Sequence, residues 1–272
     1  MEINVGRVRL KKLTFFLVSL LVFASVAFAG NSCQKVAREL HTLQNQIVDK
    51  SFRHLKKGAW GLYDAGDGKT VKAVYCGRQV SPKTGKKYDM IELQGRFAGQ
   101  VWYRLTPKDV RYSGITFRFW TLEPMEIYAQ MASGLVYISK REIELFMQLA
   151  GRRWSTILKE GVIVAPPDCR HIPVIKVAHL KFPGGKMIDA TVIKSTENRG
   201  EIFCSPEVPF GYIKVRGGHA RQAPRLLDFG SQGGKRRISS ALAAKATPLI
   251  NPNKPGTLNL PGFSIQIRGS KK

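Results

Sequence analysis

The chain has 272 residues, 43% of them hydrophobic, with 44 Lys and Arg against 19 Asp and Glu, a formal net charge of +25. That length and apolar fraction suffice for one large domain with a buried core, and the charge implies polyanionic surroundings such as anionic lipid headgroups, lipopolysaccharide, cell-wall polymers or nucleic acid. None of the 4 cysteines has C-x-x-C or C-x-x-C-H spacing, which excludes the usual zinc, dithiol-redox and haem-attachment patterns.

Residues 1–29 read as an export tag. Arg7, Arg9, Lys11 and Lys12 form a basic start, residues 13–28 are an almost unbroken apolar run, and Ala27-Phe28-Ala29 places small residues before Gly30 as a signal peptidase requires. The run is short for a membrane span of about 20 residues, so cleavage is expected, with the mature protein in the periplasm or secreted. Removing the tag takes away four basic residues and one acid and leaves a net charge of +22. Export also argues against nucleic acid as the partner. In an oxidising compartment Cys33, Cys76, Cys169 and Cys204 read as two disulfides with three possible pairings. Cys33–Cys76 and Cys169–Cys204 are the expected pairs, because each closes a moderate loop.

Asn31 or Ser32 can cap a helix starting near Cys33, in which Val36, Leu40, Leu43 and Ile47 recur at helical spacing and Val48, Phe52 and Leu55 extend the stripe to Gly58. This stripe is expected to dock on a sheet. From residue 59 to about 131 the period changes to short alternating segments: AWGLY, TVKAVYCGRQV, KYDMIELQ, GQVWYRL and GITFRFWTL, separated by turn-forming DAGDGK, SPKTGK, RFAG and TPKDVRYSG. Even spacing and short polar turns predict an antiparallel meander. A second amphipathic helix is predicted over 139–160, with Ser139 and Glu142 at capping-box spacing and an apolar stripe that includes Ile143, Phe146, Met147, Trp154 and Leu158. After Pro166-Pro167, HIPVIKVAHLKF, KMIDATVIKS, GEIFCS and PFGYIKV predict four more strands joined by short turns. Residues 216–272 carry eleven Lys and Arg against one acid, Asp228. LLDFGSQ can add one strand there, residues 233–272 are expected to form a basic arm, flexible and largely disordered or surface-bound, and LNLPGFSIQIRG alternates weakly and could pair with a sheet edge, here or on a partner. The predicted organisation is thus a signal peptide (1–29), a β-rich domain (30–232) and the arm (233–272).

The stretch SPEVPFGYIKV followed by LLDFGSQGGKRRI resembles the end of a family of exported, β-rich bacterial and archaeal proteins of unknown function, whose arrangement looks like the fold of the lipoprotein localisation factors. In residue detail the resemblance covers Val208–Gly211 and Leu226–Gly230. It implies an α+β fold, a single large curved antiparallel sheet covered on one face by two amphipathic helices, with a lipid-sized cavity between. It carries no catalytic residue across.

No H-E-x-x-H, G-x-S-x-G, P-loop or dinucleotide fingerprint occurs. His41, His54, His171, His179 and His219 are scattered, and His41 is expected in solvent. Asp168-Cys169-Arg170-His171 is the one compact polar cluster, read as a disulfided cysteine beside a surface histidine. Neither a cofactor, a metal nor an enzymatic activity is expected. The aromatic strands suggest binding instead. Tyr103, Phe117 and Phe119 on the sheet, with Phe146 and Trp154 on the second helix, are expected to line a groove for an acyl chain or apolar peptide. Arg152 and Arg153, together with Arg104 and Arg118, would meet a headgroup. The expected role is therefore a non-catalytic envelope binding protein whose partner is an anionic lipid or cell-envelope polymer, with peripheral membrane contact. The alternatives are a structural subunit that adds its C-terminal segment to an envelope partner's sheet, and an envelope hydrolase with an unrecognised site.

Overall fold

The computed structural model describes residues 32–64, 68–95, 98–112, 114–131, 134–149, 164, 167, 169–197, 200–217, 224–249, 256–260 and 263–267, with backbone only for 146–149 and from 256 on. The expected export tag lies outside them.

Residues 32–48 form helix α1, and its apolar stripe faces inward as the spacing predicts: Ala37, Leu40, Leu43 and Ile47 are buried. The last turn widens into a π-turn, Asp49–Arg53, which buries Ser51 and Phe52. The alternating segments then form strands β1 (Trp60–Asp64), β2 (Thr70–Val80), β3 (Lys87–Gly95), β4 (Gly99–Tyr112), β5 (Ile115–Met131) and β6 (Gly134–Ser139). Each pairs antiparallel with the next, as short turns between alternating strands require. Helix α2 (Lys140–Leu149) follows, and its capping box is made: the Ser139 N–H donates to Glu142 Oε2 at 2.7 Å and the Glu142 N–H to Ser139 Oγ at 3.4 Å.

Beyond α2 come β7 (Val174–Lys181), β8 (Met187–Lys194), β9 (Glu201–Cys204), β10 (Tyr212–Arg216) and β11 (Arg225–Gly230). Next are a short helix α3 (Ser240–Ala244), β12 (Thr247–Pro248), and a two-stranded hairpin of β13 (Gly256–Leu260) and β14 (Phe263–Ile267).

The α+β class holds, but the expected single sheet is divided. An eight-stranded sheet has the order β11-β1-β2-β3-β4-β5-β6-β12, and β7 to β10 form a separate four-stranded sheet, order β10-β9-β8-β7. Short turns fixed neighbours correctly within each region. β7 pairs with β8 and not with β6, so it begins a new ladder. β11 returns to β1 at the far edge of the large sheet. The large sheet is also mixed, because β12 pairs parallel with β6.

Both faces of the large sheet are covered. On one, Ile91, Leu93 and Tyr103 meet α1 and the four-stranded sheet, through Leu40, Leu43, Ile188, Val192 and Phe203. On the other, Val74, Met90, Trp102, Met125 and Tyr128 pack beneath Ile238, Ala243 and Ala246. Residues 233–249, the first part of the expected flexible arm, are therefore a strap seated across the sheet. The expected cover of two helices on one face is corrected accordingly: α1 covers one face and the strap the other, while α2 packs against β5 and β6 near the sheet end.

The disulfide pairing also differs from expectation. Cys33 pairs with Cys169, with Cα atoms 5.5 Å apart, and Cys76 and Cys204 are buried thiols. Cys33 starts α1, on one side of the large sheet, whereas Cys76 on β2 faces the strap on the other, so the sheet itself separates the expected partners. Cys204 packs under α1 with Leu40 and Leu43. Alkylation of the oxidised, denatured protein should therefore label Cys76 and Cys204 and leave Cys33 and Cys169 unlabelled. Peptide mapping that finds Cys33 linked to Cys76 would overturn this pairing.

Candidate functional site

The side chains expected to line a groove are used for packing. Tyr103 is 1%, Phe117 6% and Phe119 0% exposed. Phe52 meets Tyr103 edge-on with centroids 6.3 Å apart, and Ala37 of α1 closes over Phe117 and Phe119. The Tyr103 hydroxyl is buried without a hydrogen-bond partner among the described residues, and burial raises its pKa above the ordinary tyrosine value. His41, expected in solvent, is half-buried edge-on to Phe117 and Phe119 at 5.7 and 5.6 Å. Arg104 is engaged with Glu123 at 2.9 Å and Arg118 with Asp109 at 2.9 Å. Arg152, Arg153, Trp154 and the Phe146 side chain lie outside the described residues. Tyr103, Phe117 and Phe119 are thus brought together as core beneath α1, whereas Arg104 and Arg118 are exposed and ion-paired.

One residue of α1 shows how firmly this region is closed. The Gln44 side-chain amide accepts from Trp120 N at 2.8 Å and donates to Trp120 O at 2.9 Å, imitating a neighbouring strand at the β5 edge.

The structure offers another polar arrangement, on the face beneath the strap. β3 and β4 present Glu92, Gln94, Gln100 and Trp102 there. Glu92, 0% exposed, accepts four hydrogen bonds. Its Oε1 takes Gln94 Nε2 at 2.8 Å and the Arg237 amide at 2.6 Å, and its Oε2 takes Gln100 Nε2 at 3.1 Å and the Ile238 amide at 3.0 Å. Gln94 and Gln100 also donate to the Lys235 and Ile238 carbonyls at 2.6 and 2.8 Å. Trp60 Nε1 reaches Gln232 O at 3.0 Å, and Lys83 Nζ reaches Ala244 O at 2.9 Å. The sheet thus holds the strap chiefly by its main chain, with Ile238, Ala243 and Ala246 as the buried anchors. At its end the Leu249 N–H donates to Tyr137 O at 2.9 Å, alongside the β12 pairing.

Compared with family models, characterised proteins and solved structures, the chain matches none.

What these groups can do chemically follows from their surroundings. Glu126, 1% exposed, accepts from Ser81 Oγ and Thr84 Oγ1, each at 2.6 Å, and from the Tyr128 hydroxyl at 3.1 Å. Ser81 Oγ in turn accepts the Lys83 and Thr84 amides, so the cluster pins the β2–β3 turn. Burial, then the nearby Glu92 carboxyl, push the Cys76 thiol up to about 11, against opposing effects of Arg236 and Lys57. Burial alone pushes Cys204 up to about 12. Both are protonated at neutral pH and hence poor nucleophiles. Among the described residues no group of three His, Cys, Asp or Glu side chains is placed to hold a metal ion, and no helix is long and apolar enough to cross a membrane.

In the sequence, Glu92, Gln94 and Gln100 look like the solvent face of half-buried strands. The signal that distinguishes them is the downstream GGKRRISSALAAK run, whose small residues fit close to a sheet surface.

Proposed function

We propose that the protein is a non-catalytic component of the cell envelope that binds an anionic partner, a lipid headgroup surface or an envelope polymer, through its basic outer surface. The observation that carries this is where the charges end up. Glu92 and Glu126 are consumed inside, while Lys83, Lys86 and Lys87 of the β2–β3 turn and Lys235, Arg237 and Lys245 of the strap are all exposed. Lys83 reaches the strap carbonyl beside Lys245, so turn and strap contribute to one cationic surface. Each charge reaching an anionic membrane adds up to about 1 kcal/mol of attraction. The packed Tyr103, Phe117 and Phe119 favour this anionic partner over an apolar cargo. The Cys33–Cys169 disulfide is consistent with an oxidising compartment, and residues 1–29 supply the export route in this reading.

The test is sedimentation with vesicles. The mature protein should bind phosphatidylglycerol-containing vesicles and not purely zwitterionic ones. Binding should fall steeply between about 0.05 and 0.5 M salt, where the screening length shrinks to several ångströms. Equal affinity for both vesicle types, or none for either vesicles or purified envelope polymer, would reject the reading.

A second reading has its own support: β12 already adds to a sheet edge, parallel to β6 at Val136 and Tyr137. A structural subunit would use the segment that follows to reach a neighbour. Such a protein elutes as an oligomer by light scattering and becomes monomeric when residues 250–272 are removed, the strap being left in place. A monomeric full-length mature chain at working concentration would exclude it.

A further inference from the structure

We infer that the seam between the two sheets holds a binding site for a phosphoryl group, formed by Lys214 and Arg216 of β10 and Arg225 of β11. β10 is the edge of the four-stranded sheet, β11 is the edge of the eight-stranded one, and the two strands lie against each other without ladder pairing. Lys214 and Arg216 are two residues apart on β10 and so project to the same face. Both stand over one ring: Lys214 Nζ is 4.5 Å and Arg216 Cζ 5.6 Å from the Phe203 centroid. Phe203 is itself held in the core, which fixes the platform under the two cations.

Like charges placed together this way repel. Lys214 is half-buried, and its pKa is lowered first by that burial and then by Arg216 and Arg225. Glu201, the register partner of Arg216, opposes this shift but lies 4.0 Å from Lys194 as well, and Asp64 lies 3.6 Å from Arg225. Among the described residues the two carboxylates are thus shared among four cations, an excess of positive charge at the seam. Only Lys214 is half-buried, while Arg216 and Arg225 are exposed beside it. The Phe203 ring and the two carboxylates offset part of the repulsion, and perturbed cations of this kind concentrate at functional sites, where an anionic ligand relieves the remainder. A tetrahedral dianion suits the donors present, with two planar guanidinium forks and one ammonium. The inference rests on the reading above for the source of the phosphate, an envelope lipid or polymer.

The experiment titrates the isotope-labelled mature protein with inorganic phosphate and, separately, with phosphatidylglycerol vesicles. It compares wild type, Lys214→Ala/Arg216→Ala, and Lys176→Ala/Lys181→Ala, two exposed lysines on β7 at the opposite edge of the four-stranded sheet, as a control of equal charge loss. Lys214→Gln serves as the milder variant if the double variant loses its native circular dichroism. Saturable shifts at Lys214, Arg216 and Arg225 that weaken at least tenfold in the seam variant, and not in the control, support a phosphoryl site. If vesicles bind in this manner and free phosphate does not, the ligand is a headgroup presented on a surface; if free phosphate binds too, the phosphoryl group alone suffices. Shifts spread over all lysines, or equal weakening in both double variants, overturn the seam site while leaving general anion attraction intact. Absence of vesicle and polymer binding by wild type defeats the broader reading, and the phosphate titration then still decides the seam.

Discussion

Replacing Glu92 with alanine should lower the unfolding free energy by about 3–5 kcal/mol and lift the strap from the sheet. The substitution deprives four donors of their acceptor: two side-chain amides and the Arg237 and Ile238 backbone N–H groups. Each buried donor left unpaired costs roughly 1–3 kcal/mol, and part of that is recovered when the strap rises and its amides meet water. Urea denaturation measures the loss, and hydrogen exchange at Arg237 and Ile238 locates it. Cys76 supplies an internal readout, because it lies in the cluster beneath the strap whereas Cys204 lies under α1. In the variant Cys76 should become accessible to a thiol reagent before Cys204 does. Glu92→Gln, which keeps the shape but turns one acceptor into a donor, should show the same pattern at about 1–2 kcal/mol. A loss below about 1 kcal/mol for the alanine variant, with the strap amides still protected, would mean that Ile238, Ala243 and Ala246 hold the strap unaided.

This strap marks the boundary of what the sequence made legible. Local signals worked where local physics decides. The helical spacing of Leu40, Leu43 and Ile47, the alternation of β1 to β5, and the Ser139–Glu142 cap all appear as read. What failed was long-range. The GGKRRISS run has the composition of a solvated arm, and it is ordered by a carboxyl group some 145 residues earlier. Glu92 in turn looks like a solvent-facing residue until something covers it. Neither half of that interaction announces itself, because each is ordinary without the other. The cysteines failed for a related reason: a moderate closing loop favoured Cys33–Cys76, whereas the three-dimensional path places a β-sheet between them. Of the expected aromatic groove, Phe117 and Phe119 are claimed by α1, a docking that helix periodicity predicts in kind but not in place.

Gly211→Ala should destabilise the protein by about 2–4 kcal/mol, from two separable causes. The Val208–Gly211 turn passes directly beneath α1. Its Phe210 and Gly211 have φ of 66° and 68°, and Ser51 on the π-turn donates to Val208 O at 2.9 Å. A side chain at a left-handed position costs on the order of 1 kcal/mol. The added Cβ would also stand against Ile47 Cγ2, closer than any real contact, and forcing a helix off its seat costs roughly 1–3 kcal/mol more. The two causes separate in a double-mutant cycle with Ile47→Ala, which removes the clashing methyl and by itself costs about 2–5 kcal/mol as a core truncation. If the clash contributes, the double variant is more stable than the sum of the singles by about 1–2 kcal/mol, while the backbone penalty persists. Strict additivity, measured by urea denaturation of all four proteins, would assign the whole loss to backbone conformation. The glycine would then be required by the turn alone, and the approach of α1 to it would have no part in selecting that residue.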